Sequence, residues 1–308
     1  MTGLVYKSTG SWYSVKTSEG KMVAARIKGI FKIDGITSTN PIAVGDKVDL
    51  EWEDHSANTV MITGIHHRKN YIARQSPSHK RQHHIVAANI DQSMMMATLR
   101  EPRTSQGFID RFLVSSEAFH VPAIVVFNKS DIYRDKEMEK YEELRGMYEE
   151  IGYSVFLTSF STGKGVDDLI AAMLDKTTLI SGHSGVGKSS FINIILPEQQ
   201  LKTQDVSGWS GKGMHTTTFA EMYDLDGGGR IIDTPGMREF GIVDISRQEL
   251  SHYFPEMRSR ISDCHFNNCL HINEPGCAIK TAVEEGSISF ERYYSYVNIL
   301  ESIEERSY

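Results

Sequence analysis

TTLISGHSGVGKSSFINIIL, residues 177–196, is the stretch on which the fold turns. A short run of β-branched and apolar residues, 177–180, leads into a glycine loop, and an apolar helical pattern, 189–196, leads out of it. The loop, GHSGVGKS at 182–189, matches G-x-x-x-x-G-K-[ST] in full. Its glycines let main-chain N–H groups turn inward on a phosphate chain, and the following helix adds its positive dipole end. The expected phosphate contacts run from Gly182 through His183, Ser184, Gly185, Val186 and Gly187 to Lys188, Ser189 and Ser190. Lys188 is expected to reach the β- and γ-phosphates as a catalytic residue, and Ser189 to ligate Mg²⁺.

Upstream, the sequence alternates strands and helices. Apolar runs at 90–99, 121–127 and 154–157 read as strands, and amphipathic patterns at 107–119, 136–151 and 166–174 as helices. Such alternation predicts a parallel sheet covered on both faces. The methionines at 94–96 read as core filler. At the end of the 121–127 strand stands NKSD, 128–131. Alone this is a weak four-letter match that surface turns also carry; beside a phosphate loop it chooses a base. Guanine offers N1–H and an exocyclic amine on one edge, and the Asp131 carboxylate can accept both. Adenine, with no proton at N1, would leave that charge unpaired, a mismatch that discriminates strongly. Asn128 is expected to fix the loop and touch the base, and Lys129 to lie across the ring. Ser159 and Phe160, after the 154–157 strand, are expected to support the guanine with main-chain N–H groups.

Downstream, DTPG at 233–236 follows the strand 230–232. Asp233 is placed to hold Mg²⁺ through water, and the Gly236 amide to meet the γ-phosphate. Between lies GWSGKGMHTTTF, 208–219, where Thr217, with Thr216 in reserve, is expected to close over Mg²⁺. Met237 stands where many GTPases place a water-orienting Gln, so free hydrolysis is expected to be slow; His215 is the candidate for positioning the water. The base-reading loop precedes the phosphate loop in the chain, the reverse of the usual order. This predicts a circularly permuted α/β P-loop GTPase core, an arrangement that nearby chain ends tolerate.

The chain has 308 residues, enough for two or three domains, and a formal net charge of -7. That balance argues against a protein uniformly adapted to nucleic acid. The segment 66–84, HHRKNYIARQSPSHKRQHH, reverses it locally, with five Lys/Arg, five His and no acid. It reads either as a solvated linker or as an RNA phosphate-contacting surface. Before it, short alternating runs at 11–15, 22–27, 47–52 and 59–65 predict a small β-barrel of OB or SH3 type. No run is apolar enough to span a bilayer, and the first residues lack a signal-peptide pattern, so a cytoplasmic protein is expected. All three cysteines lie near the C-terminus, in C-x4-C-x-H-x5-C: Cys264, Cys269, His271 and Cys277. Three thiolates and an imidazole make a closed tetrahedral shell for one structural Zn²⁺. The surrounding segment, including 288–303, predicts helices.

HRKNYIAR, ANIDQ, GHSGVGKSS, GKGMHTTT, DTPGMREFG and PGCAIKTAVEEG together resemble the signatures of the RsgA (YjeQ) family, circularly permuted GTPases that depend on the small ribosomal subunit. The resemblance covers nearly the whole chain, with two departures: GKGMH replaces a more basic loop, and Phe160 stands where a small residue is usual. It implies an OB-fold over 1–71, a permuted GTPase domain over 72–241 and a mainly helical zinc-binding domain over 242–308. It further implies binding to the small subunit and its rRNA late in assembly, with hydrolysis of GTP to GDP there; nothing in the sequence suggests more than a monomer. The competing expectations are an RNA-binding switch whose hydrolysis is incidental, and an ATP-dependent kinase, against which NKSD argues.

Overall fold

A computed structural model describes residues 1–27, 41–54, 58–75, 83–198, 220–234 and 245–303. The N-terminal strands β1 (Thr2–Ser8), β2 (Tyr13–Thr17), β3 (Met22–Ile27), β4 (Lys47–Asp54) and β5 (Thr59–Ile65) pair in the order β1-β2-β3-β5-β4, and β4 closes back on β1. That order is the OB barrel, which decides between the two barrel types the strand pattern allowed. Alternate residues Val15, Val23, Ala25, Val48, Leu50, Val60 and Ile62 fill its interior. β1 does not alternate cleanly, because Val5 and Tyr6 are both buried and the register shifts between Val5 and Lys7.

The described residues of the basic segment do not run as a linker: β6 (Tyr71–Gln75) pairs antiparallel with β7 (His83–Ala88), and Val44 of the barrel bridges to Ala87. Part of its charge turns inward: Arg68 is buried against Asp46 with two contacts of 2.7 and 2.6 Å. At the surface, Lys69 pairs with Asp91 and His66 lies 3.0 Å from Asp49.

Five strands then form the parallel sheet: β8 (Gln92–Ala97), β9 (Ala123–Phe127), β10 (Ser154–Leu157), β11 (Thr177–Ser181) and, after antiparallel β12 (Glu221–Asp224), β13 (Arg230–Asp233). Their order is β10-β9-β8-β11-β13-β12, and β12 continues into β1 of the barrel. Met95, Val125, Phe127, Leu179 and Ile232 face α1 (Gln106–Ala118) and α2 (Asp135–Ile151). Met94, Met96, Ile124, Val126, Ile180 and Ile231 face α3 (Val166–Ala171) and α4 (Lys188–Ile195). Two-sided burial explains the unbroken apolar runs, each such side chain contributing about 1.5–3 kcal/mol.

The C-terminal part consists of the short helices α5 (Pro255–Arg258) and α6 (Ala278–Glu284) and the longer α7 (Phe290–Ser302). Leu250, Phe254, Met257, Ile279 and Ile299 pack together and onto Val114 of α1. A buried charge cluster joins the two parts. Arg292 of α7 donates to Asp110 of α1 at 2.7 Å and to both oxygens of Glu256 at 2.7 and 3.2 Å, and its guanidinium lies 4.6 Å from the centre of the Phe254 ring. Burial opposes the guanidinium charge, but Asp110 and Glu256 outweigh it and hold its pKa well above the usual value. Among the described residues no helix is long and apolar enough to cross a membrane.

Candidate active site

β11 lies between β8 and β13 and delivers the glycine loop to the carboxyl edge of the sheet, where open α/β sheets bind ligands. Gly187, the N-cap of α4, has φ 107°. A Cβ there would collide with the Asn128 amide, so glycine is required by the approach of the base-reading loop as well as by the turn. Phe191 and Ile192, both fully buried, fix α4 to the sheet. The Lys188 ammonium donates to the carbonyls of Gly182 and of His183, the latter at 3.0 Å. Burial pushes Lys188 below the usual lysine range, with Asp233 countering. Burial likewise pushes Asp233 above the usual carboxylate range, with Lys188 countering. Asp233 Oδ1 is buried without a hydrogen-bond partner at the end of β13, while the Thr234 hydroxyl ties that end to the Ile180 carbonyl at 3.2 Å. An orphaned, desolvated carboxylate oxygen beside a phosphate loop is a donor of the kind Mg²⁺ takes, and Ser189 in the first turn of α4 adds a hydroxyl. The residues described fit the metal.

NKSD joins the phosphate loop through Asn128, which is 2% exposed. Its Nδ2 donates to the Val186 carbonyl at 2.9 Å, and its Oδ1 accepts from the Thr158 hydroxyl and the Phe160 N–H, each at 3.2 Å. The Tyr133 hydroxyl donates to the Asn128 carbonyl at 2.6 Å and accepts the Leu99 N–H at 2.9 Å. Lys129, in the left-handed conformation with φ 66°, donates to the Glu101 carbonyl. Asp131 is exposed. The Ser159 hydroxyl donates to it at 2.6 Å and holds its carboxyl below the usual range. An ionised carboxylate thus stands where the sequence motif leads one to expect a guanine-reading group.

The Ser159 and Phe160 N–H groups, expected to support the guanine, have partners within the protein. The Ser159 N–H bonds the Lys164 carbonyl at 2.9 Å and the Phe160 N–H bonds Asn128, because the loop after β10 closes on itself. The Ser159 hydroxyl reaches Asp131, and the Phe160 ring stacks on Phe191 at 5.0 Å, which gives the larger residue a packing role. Tyr133, Thr158 and Thr104 were not singled out in the sequence; they act through individual side-chain hydrogen bonds that leave no periodic trace. His215, Thr216, Thr217, Gly236 and Met237 lie outside the described residues.

Cys264, Cys269, His271 and Cys277 converge so that their ligand atoms all lie within 4.8 Å of one another. Zinc–sulfur bonds of about 2.3 Å give tetrahedral edges of about 3.8 Å, so the set fits one Zn²⁺ after slight contraction. His271 Nδ1 lies 3.4 Å from Cys277 Sγ and 3.6 Å from Cys264 Sγ. Burial pushes the Cys269 thiol up to about 12, a cost that a cation would relieve. Glu274 organises the turn by accepting N–H groups of Leu270, Ile272 and Asn273 at 2.8–3.0 Å, and Tyr293 and Tyr296 of α7 donate to the carbonyls of His271 and Leu270 at 2.6 and 2.8 Å.

Residues 65–243 match the RsgA GTPase family profile, and residues 2–60 the RsgA N-terminal domain. A Flavobacterium psychrophilum protein named small ribosomal subunit biogenesis GTPase RsgA is 50% identical over 99% of this chain and 94% of its own length. A Bacteroides thetaiotaomicron protein, small ribosomal subunit biogenesis GTPase RsgA 2, is 50% identical over 100% and 99%. Among solved structures, YjeQ from Thermotoga maritima superposes with a TM-score of 0.79 at 32% identity, covering 99% of each chain. YloQ, described as a circularly permuted GTPase, gives 0.74 at 31% identity, covering 100% of this chain and 96% of its own. With a phosphate loop stitched to a base-reading loop that precedes it in the chain, and these matches along its whole length, the chain belongs to the RsgA GTPase family.

Proposed function

We propose that this chain hydrolyses GTP to GDP and phosphate on the small ribosomal subunit, late in the subunit's maturation, as a cytoplasmic monomer that contacts rRNA. The observation that carries the nucleotide reading is the Asn128–Val186 bond, which makes base recognition and phosphate grip one pocket. The partner follows from full-length relatives named for small-subunit biogenesis. We divide the chain into an OB barrel at 1–71, the GTPase domain at 72–241 and a zinc-binding helical domain at 242–308. Cys264, Cys269, His271 and Cys277 would hold a Zn²⁺ that stabilises the last of these.

In the pocket, Asp131 reads guanine, Asn128 and Lys129 shape the base loop, and the amides of 182–190 cradle the phosphates. Ser189, Asp233 and Thr217 would hold Mg²⁺, which neutralises charge on the phosphate oxygens when bound. Lys188 moves from its carbonyl contacts to the β- and γ-phosphates, Gly236 N–H meets the γ-phosphate, and His215 orients water. Because Met237 cannot orient water, turnover by the free protein is slow, and the subunit supplies up to about 10³–10⁵-fold. The remaining basic surface of the β6–β7 pair and the barrel face rRNA.

GTP turnover by the full chain, with and without purified small subunits at two salt concentrations, tests this. Stimulation that weakens with salt is expected. Met237 also favours a second reading, an RNA-binding switch with incidental hydrolysis, and absence of stimulation would select it. Displacement of bound GTP by equimolar ATP would instead revive the kinase reading.

A further inference from the structure

His183 stands at the second position of the phosphate loop, which the motif leaves open to any residue. Thr104, 4% exposed, lies in the turn entering α1, and its hydroxyl oxygen is 2.6 Å from His183 Nε2. On the other side of the ring, Nδ1 is 3.0 Å from the Ser184 carbonyl, which can only accept. Nδ1 therefore carries the proton. A neutral imidazole has one N–H, so Nε2 accepts and Thr104 donates. The same Thr104 oxygen accepts the Thr98 N–H at 3.0 Å, and the Thr104 N–H bonds the Thr98 carbonyl at 2.7 Å, so the hydroxyl is fixed on its own side too. Phe108 of α1 meets the ring edge-on, with centroids 5.6 Å apart. Burial, with the charges of Lys188 and Lys129, holds the imidazole below the usual histidine range, opposed by the Ser184 carbonyl. A charged ring would turn Nε2–H toward Thr104 and leave the buried hydroxyl proton without an acceptor. The loop backbone follows the ring, because the ring Nδ1–H is bound to the Ser184 carbonyl.

We propose that Thr104 is a positioning residue for nucleotide binding: its hydroxyl donates to Nε2 of the neutral His183 ring, whose Nδ1–H holds the Ser184 carbonyl, and so braces the phosphate loop backbone in the geometry that receives the phosphates. The proposal rests on the guanine-nucleotide reading above. Thr104→Val removes the hydroxyl at nearly constant volume, and Thr104→Ser restores it. In the full chain, a fluorescent GDP analogue should bind Thr104→Val about threefold to tenfold more weakly, and Thr104→Ser within about twofold of the unsubstituted protein. Imidazole ¹⁵N spectra at neutral pH should show the Nδ1–H tautomer at His183 in all three chains, because the Ser184 carbonyl keeps that proton, with the Nε2 resonance shifted toward that of an unbonded lone pair in Thr104→Val alone. A threonine that only packs would lower the melting temperature and leave that resonance alone. Unchanged affinity in Thr104→Val, a serine variant as weak as the valine one, or an Nε2–H ring in the unsubstituted chain each overturns the proposal; the last needs no variant to fold. If the unsubstituted chain binds no GDP, the nucleotide reading itself fails, and the proposal with it.

Discussion

Replacing Arg292 by Met removes a buried guanidinium while keeping much of its volume. The side chains of Arg292 and Asp110 are fully buried, and that of Glu256 is 10% exposed. Glu256 can recover some water, but Asp110 cannot. Its Oδ2 has no hydrogen-bond partner, and Oδ1 would retain the Tyr148 hydroxyl at 2.8 Å. Breaking a buried pair from one side costs about 3–5 kcal/mol. At about 2–4 °C per kcal/mol, melting should fall by about 6–20 °C. Urea unfolding followed by circular dichroism measures the loss, and amide exchange in α1 and α7 localises it. Adding Asp110→Asn to Arg292→Met removes the stranded charge and should restore about half. A loss below about 1 kcal/mol in Arg292→Met, or no recovery in the double variant, would refute the reasoning.

Asp131→Asn should weaken GDP binding about 10- to 150-fold, the worth of a charge-assisted hydrogen bond, and favour xanthosine diphosphate; calorimetry that finds GDP binding intact removes Asp131 from the base site. Ser159→Ala should move the acid limb of GDP affinity to higher pH. The folded-state pKa of Asp131 is depressed by the Ser159 bond, so the ionised, guanine-reading form persists below the usual carboxylate range and is lost earlier once that bond is gone; superimposable affinity profiles would contradict this. Stripping the metal with a chelator should release about one zinc per chain and expose the amides of 264–277 to exchange, as should Cys277→Ser; retained protection would show that the knuckle stands without metal.

Much of the core was legible because its strands are buried on both faces. Runs such as AIVVF at 123–127 and TTLIS at 177–181 announce themselves, and β10 matches its expected bounds of 154–157. β1 escaped because its register shift breaks the alternation of two. β12 escaped because a four-residue strand with one buried position, Met222, has no pattern to read. The pairing of β6 with β7 was hidden by the charge of the segment, since nothing local says that Arg68 finds Asp46. In the candidate site, motif spacing named the residues expected to contact nucleotide but not their braces. Asn128 is named by NKSD, whereas Tyr133, which holds its carbonyl, is known only once the chain has folded.

The charge cluster bears on what can be cut from this protein. A fragment ending at 241 would keep Asp110 and Val114 on α1 and discard Arg292, Glu256 and Leu250. It would bare a carboxylate placed for a partner it no longer has, set in an apolar surface with nothing to cover it. Grafting, shortening or swapping the C-terminal module therefore calls for redesign of α1 in the same step, and the boundary drawn in the sequence is not a seam along which the molecule comes apart.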